Sequence, residues 1–294
     1  MFKRRSHSRN TQKNEGDKMA RSVDVDELAS SATLLTTPCG HGKITWRRWG
    51  RGSPVVLLHG TAGSWTHWVR NIGALAVMHT VYVPDLPGFG DSDSLAEPHT
   101  FANIAATLWA GLDELCPDRP SIALAGFSFG SVVAESMALE RGDQIRRLVL
   151  VRGNFNDQTP RLPGTLKKWR GLADPKDVEA AHRHNLAVMM FHDSAKIDEQ
   201  AVMLHAENSR RSMLDPALFF PSRPLDALRK IAGPVAGITG EFDSYGLPDP
   251  RKQGEALLEV RPDAIFHIIP TAGHWAIYES AEKVNPILLD MFSR

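Results

Sequence analysis

The chain has 294 residues, of which 42% are apolar and 23% are charged, and its formal net charge is zero. This length suits one large domain, or one core with an inserted subdomain. The balanced charge gives no reason to expect nucleic acid or a membrane surface as partner, and no apolar run reaches the length of about 18 residues that a transmembrane helix needs.

The first element along the chain is a basic, polar segment, MFKRRSHSRNTQKNEGDKMARS. It lacks the apolar stretch that a secretory signal requires. We predict a disordered tail over residues 1–25, followed by a core made of residues 26–153 and 230–294. The internal Met19 leaves open where translation begins.

Short apolar runs follow the tail and predict the strands of a sheet. Residues 33–37 and 43–49 are separated by proline and glycine, which favours an opening antiparallel hairpin. The later runs lack alternation, which suits strands buried on both faces of a parallel sheet. Helical stretches lie between most of them, so we predict an α/β fold with helices on both faces. These later runs are VVLL (55–58), TVYV (80–83), SIALA (121–125), RLVLV (147–151), VAGIT (235–239) and AIFHII (264–269).

One long segment, residues 154–229, carries no strand signal and predicts a helical insertion after the sixth strand. Asp174-Pro175 is typical of a helix N-cap followed by proline in the first turn. A second helical stretch runs from about residue 197 to 211. We interpret the segment as a lid whose methionine-rich face packs on the core or contacts substrate.

Gly126-Phe127-Ser128-Phe129-Gly130 stands between a predicted strand and a predicted helix, which is the setting of a nucleophile elbow. The two glycines permit the close backbone approach that such a strained turn requires. The turn exposes the Ser128 oxygen above the sheet, and the Phe129 amide points to where an oxyanion would form. We therefore predict Ser128 as a nucleophile; the alternative is a small residue that fills a tight turn.

A serine nucleophile needs a histidine base and a carboxylate that orients the histidine. His274 lies in TAGHWAIYE after the last predicted strand, and Asp243 lies in GITGEFD after the preceding one. Both are thus expected at the carboxyl ends of parallel strands, on the sheet edge that holds Ser128, and the order Ser–Asp–His fits this architecture. Glu241 and Asp249 are the rival carboxylates.

The loop after the third strand, His59-Gly60-Thr61-Ala62-Gly63, is expected to supply a second oxyanion donor. We predict that the Thr61 amide acts beside that of Phe129. Aromatic rings near these loops indicate an apolar pocket, with packing of lid on core as the alternative. The candidate pocket residues are Gly60, Trp65, Phe127, Arg152, Arg210 and Trp275.

Taken together, the motifs resemble those of the α/β-hydrolase superfamily over roughly residues 33–294. The matching pieces are LLHGTAGSW, VPDLPGFGDSD, GFSFGS, GEFD and GHWAIYE. The resemblance implies an α/β-hydrolase fold with an eight-stranded, mostly parallel sheet, an inserted helical lid, and catalysis through an acyl-serine without cofactor or metal. It also implies that Asp85 and Gly88 are structural. A serine nucleophile departs from the aspartate of dehalogenases and epoxide hydrolases and argues against both.

The leading hypothesis is a serine hydrolase of a small carboxylic ester or lactone. GHWAIYE is also similar to the corresponding segment of meta-cleavage-product hydrolases, which split carbon–carbon bonds of dienoate acids and need a cation for the substrate carboxylate. Arg152, Arg210 and Arg211 are the candidate cations, because arginine binds a carboxylate through two parallel hydrogen bonds. A hypothesis of another class is a non-catalytic protein that binds a small molecule on a hydrolase scaffold.

The expected partner is therefore a small ester, lactone or dienoate, with neither nucleic acid nor membrane. Cys39 and Cys116 are the only cysteines, so they form no disulfide framework and no metal cluster. Free thiols fit a reducing compartment, so we expect a cytoplasmic enzyme. The sequence does not decide whether the chain forms a homodimer.

Overall fold

The computed structural model describes residues 23–118, 121–153, 164–214, 225–245 and 249–293, and an eight-stranded sheet runs through them. The order across the sheet is β1-β2-β4-β3-β5-β6-β7-β8; β2 is antiparallel to both of its neighbours and the other pairs are parallel. This confirms the predicted hairpin and the predicted, mostly parallel α/β sheet. The strands are β1 (Thr33–Cys39), β2 (Gly42–Trp49), β3 (Ser53–Leu58), β4 (His79–Pro84), β5 (Ile122–Phe127), β6 (Ile145–Val151), β7 (Val235–Gly240) and β8 (Ile265–Ile269).

Helices cover both faces of the sheet. Alternate residues of β3 point to opposite faces, so Val55 and Leu57 join one apolar cluster while Val56 and Leu58 join the other. The first cluster is closed by α2, α8 and α9, and the second by α3, α4 and α7. The helices of the described ranges are α1 (Val25–Ser30), α2 (Val69–Ala76), α3 (Phe101–Leu115), α4 (Phe129–Arg141), α5 (Pro175–Met189), α6 (Glu199–Arg210), α7 (Pro250–Val260), α8 (Ala276–Glu279) and α9 (Ala281–Ser293).

Helices α5 and α6 lie in the segment between β6 and β7 where a helical insertion is predicted. Asp174 caps α5, since its side chain accepts from the Lys176 amide, and Pro175 occupies the first turn. The two helices pack on the first apolar cluster through Leu186, Ala201 and other buried side chains. Residues 154–163 and 215–224 of the predicted lid lie outside the described residues. The function of this segment as a lid stays a prediction.

The inserted segment contacts loops at the carboxyl ends of three strands. After β3, the Ser64 hydroxyl donates to Asn208 Oδ1 at 2.8 Å. After β7, the Ser244 hydroxyl donates to the Met189 carbonyl at 2.5 Å. After β8, the Trp275 amide donates to the Met190 carbonyl at 2.8 Å. The segment therefore lies against the sheet edge at which the sequence places its candidate catalytic residues.

At the amino terminus, residues 1–22 of the predicted tail lie outside the described residues. Val23 and Val25 already pack on the core, and the Val23 carbonyl accepts from Gln200 at 2.6 Å. The packed core thus begins a few residues before position 26, where the sequence predicts it. Within the described ranges, no helix combines the length and apolar character needed to cross a membrane.

Candidate active site

Ser128 lies in the sharp turn between β5 and α4, with φ of 52° and ψ of −113°. This left-handed conformation costs a residue with a side chain on the order of 1–3 kcal/mol, so the surroundings must enforce it. The Ser128 amide donates to the Val151 carbonyl at 2.9 Å, and the single hydroxyl proton of Ser131 has the carbonyls of Gly126 at 2.6 Å and Val151 at 3.0 Å as acceptors. A Cβ atom on Gly126 would come within 2.3 Å of the Gly130 carbonyl oxygen, so the turn requires glycine there.

Ser128, His274 and Asp243 form one hydrogen-bonded chain, as the sequence predicts from their positions. Ser128 Oγ lies 3.1 Å from His274 Nε2, and His274 Nδ1 lies 3.0 Å from each carboxylate oxygen of Asp243. Because an ionised carboxylate only accepts, we assign the histidine proton to Nδ1. His274 Nε2 is then left with a lone pair that faces the Ser128 hydroxyl, which is the arrangement needed to remove its proton.

The surroundings of Asp243 keep it ionised. Burial alone would raise its pKa, but the charges of His274 and Arg152, together with hydrogen bonds from His274 and the Tyr245 amide, lower the pKa below its usual value. The Tyr245 amide donates to Asp243 Oδ1 at 2.9 Å. The two rival carboxylates have local tasks instead: Glu241 accepts from the Thr271 amide at 3.0 Å, and Asp249 caps α7.

The loop after β3 presents backbone amides near the nucleophile. A Cβ atom on Gly60 would lie 3.3 Å from the Ser128 Cβ, so this loop passes close to Ser128. The Gly60 amide donates to His67 Nδ1 at 3.1 Å, whereas the Thr61 amide has no acceptor among the described residues. Phe129 is the first residue of α4, where helix amides point toward the amino-terminal end. The predicted oxyanion donors therefore lie on two elements that flank Ser128.

Two buried histidines support this loop. His59 lies 2.8 Å from the Gly60 carbonyl through Nδ1 and accepts from the Leu86 amide through Nε2. Burial lowers the pKa of His59, and it lowers that of His67 strongly, with nearby His59, His205 and His274 adding to the effect. Both imidazoles are therefore neutral at neutral pH. Sequence reasoning missed His67, because nothing in its local pattern separates it from the other histidines.

Glu279 is a second residue that sequence reasoning missed. Its buried carboxylate accepts the amides of His192 at 3.2 Å, Asp193 at 2.9 Å and Gly273 at 2.6 Å. It thereby ties the loop that carries His274 to the end of α5. The sequence feature that could have indicated it is its place in GHWAIYE, five residues after His274.

The predicted pocket aromatics separate into two groups. The Phe127 ring lies beside His274, with ring centroids 5.1 Å apart, and so borders the hydrogen-bonded chain. Trp65 packs against Trp49 at 5.5 Å, and Trp275 stacks on Tyr278 at 4.2 Å; both indoles are buried in the first apolar cluster. For these two residues the structure favours the packing alternative over direct contact with a ligand.

The three predicted substrate cations have protein partners. Arg210 pairs with Glu207 one turn earlier in α6, and Arg211 pairs with Glu207 and Asp91. The Arg152 guanidinium donates to the Tyr245 carbonyl through Nη2, and its Nε lies 3.8 Å from Asp243 Oδ2. Each arginine thus lies beside an acidic side chain of the protein, although the side chains of Arg210 and Arg211 are 61% and 48% exposed.

Backbone strain also concentrates at this edge of the sheet. In the described part of the chain, the non-glycine residues with positive φ are Ala62, Ser128, Arg152 and Thr271. They lie in the loops that follow β3, β5, β6 and β8. Strained residues persist only where the surroundings hold them, and they gather at functional sites. The strain therefore marks the same edge as the hydrogen-bonded chain.

Comparison with known proteins gives a consistent result. A model described as the alpha/beta hydrolase family matches residues 55–287. One relative is a 2-hydroxy-6-oxononadienedioate/2-hydroxy-6-oxononatrienedioate hydrolase of Paraburkholderia phymatum. The chain is 28% identical to it over an aligned length of 290 residues, and the alignment covers 92% of this chain and 95% of the relative. A meta-cleavage product hydrolase from Pseudomonas fluorescens aligns with a TM-score of 0.72 at 19% identity, covering 88% of this chain and 97% of that one. A carboxylesterase from Bacillus subtilis aligns with a TM-score of 0.72 at 21% identity, covering 90% and 94%.

Proposed function

Since the chain belongs to the alpha/beta hydrolase family and is an enzyme of that fold, we propose that it is a serine hydrolase acting through Ser128, His274 and Asp243. The observation that carries the proposal is the continuous chain of hydrogen bonds from the Ser128 hydroxyl to the Asp243 carboxylate. Such a chain activates an otherwise weak nucleophile toward a carbonyl carbon.

The reaction proceeds in two stages. Ser128 Oγ attacks the carbonyl carbon while His274 Nε2 takes the hydroxyl proton, and Asp243 stabilises the imidazolium that results. The amides of Phe129 and Thr61 donate to the oxyanion of the tetrahedral intermediate, and each such donor contributes roughly 10²–10³ in turnover. His274 then protonates the leaving group, and water hydrolyses the acyl-serine by the same steps.

The substrate that we propose is a small, uncharged carboxylic ester or lactone. Two observations support an uncharged acyl group. Aromatic side chains flank the nucleophile turn: the Phe127 ring borders His274, and the Phe129 ring packs between Phe89 and Phe101. In addition, the arginines considered as receptors for a substrate carboxylate are engaged by acidic groups of the protein.

A second candidate function is hydrolysis of a carbon–carbon bond in a dienoate acid of the meta-cleavage type. It is favoured by the curated relative, whose name assigns it a dienedioate substrate and which aligns over 92% of this chain. In that reaction the same serine and histidine would act on a ketone carbonyl, and the leaving group would be carbon. A cation for the carboxylate would have to come from one of the arginines by exchange of its present partner.

Parallel turnover assays of wild type and Ser128→Ala test both candidates. The substrates are a p-nitrophenyl acyl ester, a simple lactone and a 2-hydroxy-6-oxo-dienoate. We expect ester or lactone hydrolysis by wild type and a fall of about 10⁴-fold or more in Ser128→Ala. We also expect a fluorophosphonate to label the peptide that contains Ser128.

Each other outcome has a definite meaning. Rapid turnover of the dienoate with little ester hydrolysis would replace the first substrate class by the second. Measurable and equal turnover by wild type and Ser128→Ala would exclude Ser128 as the nucleophile and require another one. Absence of turnover by both proteins, together with absence of the label from folded wild type, would leave a binding protein on a hydrolase scaffold.

A further inference from the structure

Arg152 lies at the carboxyl end of the strand between the nucleophile turn and the Asp243 loop. It directly follows β6, which lies between β5 with the nucleophile turn and β7 with the Asp243 loop. Its neighbour Val151 accepts the Ser128 amide through its carbonyl, and the Arg152 amide donates to the Ile238 carbonyl at 2.7 Å. The backbone at Arg152 has φ of 53°, a conformation that is uncommon for a residue other than glycine.

The guanidinium of Arg152 is buried and faces Asp243. Nε lies 3.8 Å from Asp243 Oδ2 and has no hydrogen-bond acceptor among the described residues. Nη2 donates to the Tyr245 carbonyl. The cation is therefore held by a backbone carbonyl next to Asp243, while the carboxylate oxygens keep His274 Nδ1 as their partner.

We propose that Arg152 is a positioning residue for the reaction: it holds Asp243 as an anion directed at His274 and sets the pH at which the His274–Asp243 pair takes up a proton. The proposal rests on the proposed function, because the pair matters only if His274 serves as the base of a serine hydrolase. In this proposal Arg152 acts on Asp243 and does not bind the substrate.

The groups around the carboxylate support this assignment. The titratable or charged groups that face the pair in the described structure are Arg152 and Tyr245 beside Asp243, and the neutral His67 near His274. Burial, and then the charge of Asp243, raises the pKa of the Tyr245 phenol to about 12, so this ring stays neutral. The Arg152 guanidinium is always charged, so it is the fixed charge beside the pair.

A fixed cation has two effects that act in the same direction. It favours the anionic form of Asp243, and it repels an additional proton on His274. Without the cation, the pair would take up its proton at a higher pH. An opposite charge within about 4–6 Å typically moves a carboxyl pKa by 1–3 units. Because the proton is taken up by the pair and not by the carboxylate alone, we expect removal of the cation to raise the pH of proton uptake by roughly one pH unit.

The test compares wild type with Arg152→Gln, Arg152→Lys and Arg261→Gln. Arg261 is the matched control, because it is also a buried arginine that donates to backbone carbonyls and pairs with an aspartate, but at the far end of β7 and α7. Two quantities are measured: the acidic limb of kcat/KM on the ester, and the pH midpoint of the His274 ring signals in NMR, assigned with His274→Ala. Circular dichroism and Tm report folding.

We expect Arg152→Gln to raise both midpoints by roughly one pH unit and to lower kcat by about tenfold. Arg152→Lys retains the charge, so the midpoints should stay near those of wild type, while kcat falls because the contact with the Tyr245 carbonyl is lost. Arg261→Gln should lower Tm without moving either midpoint.

Unchanged midpoints in folded Arg152→Gln would overturn the proposal and leave Arg152 as a structural arginine like Arg261. If Arg152→Gln does not fold, wild-type kcat in Arg152→Lys would overturn the positioning role. The NMR midpoint needs no turnover. A wild-type enzyme that hydrolyses nothing would therefore refute the proposed function, while the midpoints would still decide whether Arg152 controls the pair.

Discussion

Two buried aspartates of this molecule, Asp85 and Asp243, have similar surroundings, but only Asp243 has a histidine as a hydrogen-bond partner among the described residues. The side chains of Asp85 and Asp243 are 1% and 2% exposed, and each lies beside an arginine and accepts backbone amides. Asp85 follows β4 and accepts the amides of Trp65 and Asp91 and the Arg47 guanidinium. Asp243 follows β7 and accepts His274 Nδ1.

The difference in partner separates a structural carboxylate from one that can take part in chemistry. The donors to Asp85 among the described residues are two backbone amides and a guanidinium, so that carboxylate holds two loops together, in agreement with the structural role that the sequence motif implies. Asp243 holds the imidazole of His274, whose other ring nitrogen contacts the Ser128 hydroxyl. Burial and an arginine partner are therefore insufficient to indicate catalysis; the titratable partner is the informative feature.

Asp243→Asn should have the largest effect on activity. An amide in place of the carboxylate cannot stabilise the imidazolium, and its NH₂ group can hold the histidine in the wrong tautomer. We expect kcat to fall by about 10³–10⁴-fold with little change in Tm, as measured with the ester substrate.

Asp249→Asn is the matched control for that variant. Asp249 lies in the same connection but caps α7, and asparagine caps helices about as well as aspartate. Activity and Tm should both stay near wild type. A loss of activity in Asp249→Asn as large as that in Asp243→Asn would break the assignment of the acid.

Asp85→Asn should affect stability rather than chemistry. The Arg47 side chain is 12% exposed, and it would lose part of the charge that compensates it. Breaking a buried ion pair by removing one partner costs roughly 3–5 kcal/mol, so we expect a fall in unfolding free energy of about 3 kcal/mol in urea denaturation. The folded variant should retain kcat within about tenfold. Wild-type stability together with a kcat loss like that of Asp243→Asn would erase the distinction between the two aspartates.

The sequence predicts the sheet and the hydrogen-bonded chain because their signals are local. Unbroken apolar runs predict buried strands, and Gly126, Ser128 and Gly130 at fixed spacing predict the strained turn. Asp243 and His274 follow from the rule that parallel strands bring their carboxyl ends to one edge. Each of these inferences needs only one segment and the sheet topology.

What could not be predicted depends on side chains that meet from distant segments. Arg152 carries no local sign that its guanidinium turns to Asp243 rather than to a ligand, and this choice depends on the Tyr245 carbonyl. Similarly, His67 acquires its neutral state from burial between loops, not from its neighbours in the chain. Pairwise contacts of this kind are decided by packing, and a single sequence does not specify them.

His205 extends the comparison to a histidine that has no carboxylate partner among the described residues. Its Nδ1 lies 3.0 Å from His182 Nδ1, across α5 and α6, and burial followed by the effect of His182 lowers its pKa to about 3. An unfolded histidine has a pKa of about 6.5, so the unfolded chain binds the proton first as the pH falls. The stability associated with neutral His205 is therefore present above about pH 6.5 and is lost as the pH falls toward the folded pKa.

The smallest expected effect is therefore a change in the pH dependence of stability. The unfolding free energy of wild type should fall below about pH 6.5, and His205 should contribute up to about 1.4 kcal/mol per pH unit of that fall. His205→Gln should remove this contribution, which urea denaturation between about pH 7.5 and 5.5 would measure. Buried histidines remote from His205 contribute equally to both proteins and cancel in the difference, whereas His182 and His67 lie near His205, so the measured difference includes their response. Exposed His41→Gln should keep the wild-type slope. Equal slopes in wild type and His205→Gln would mean that the folded protein accommodates the proton at the His182–His205 pair, and that a histidine without a carboxylate partner is not held neutral there.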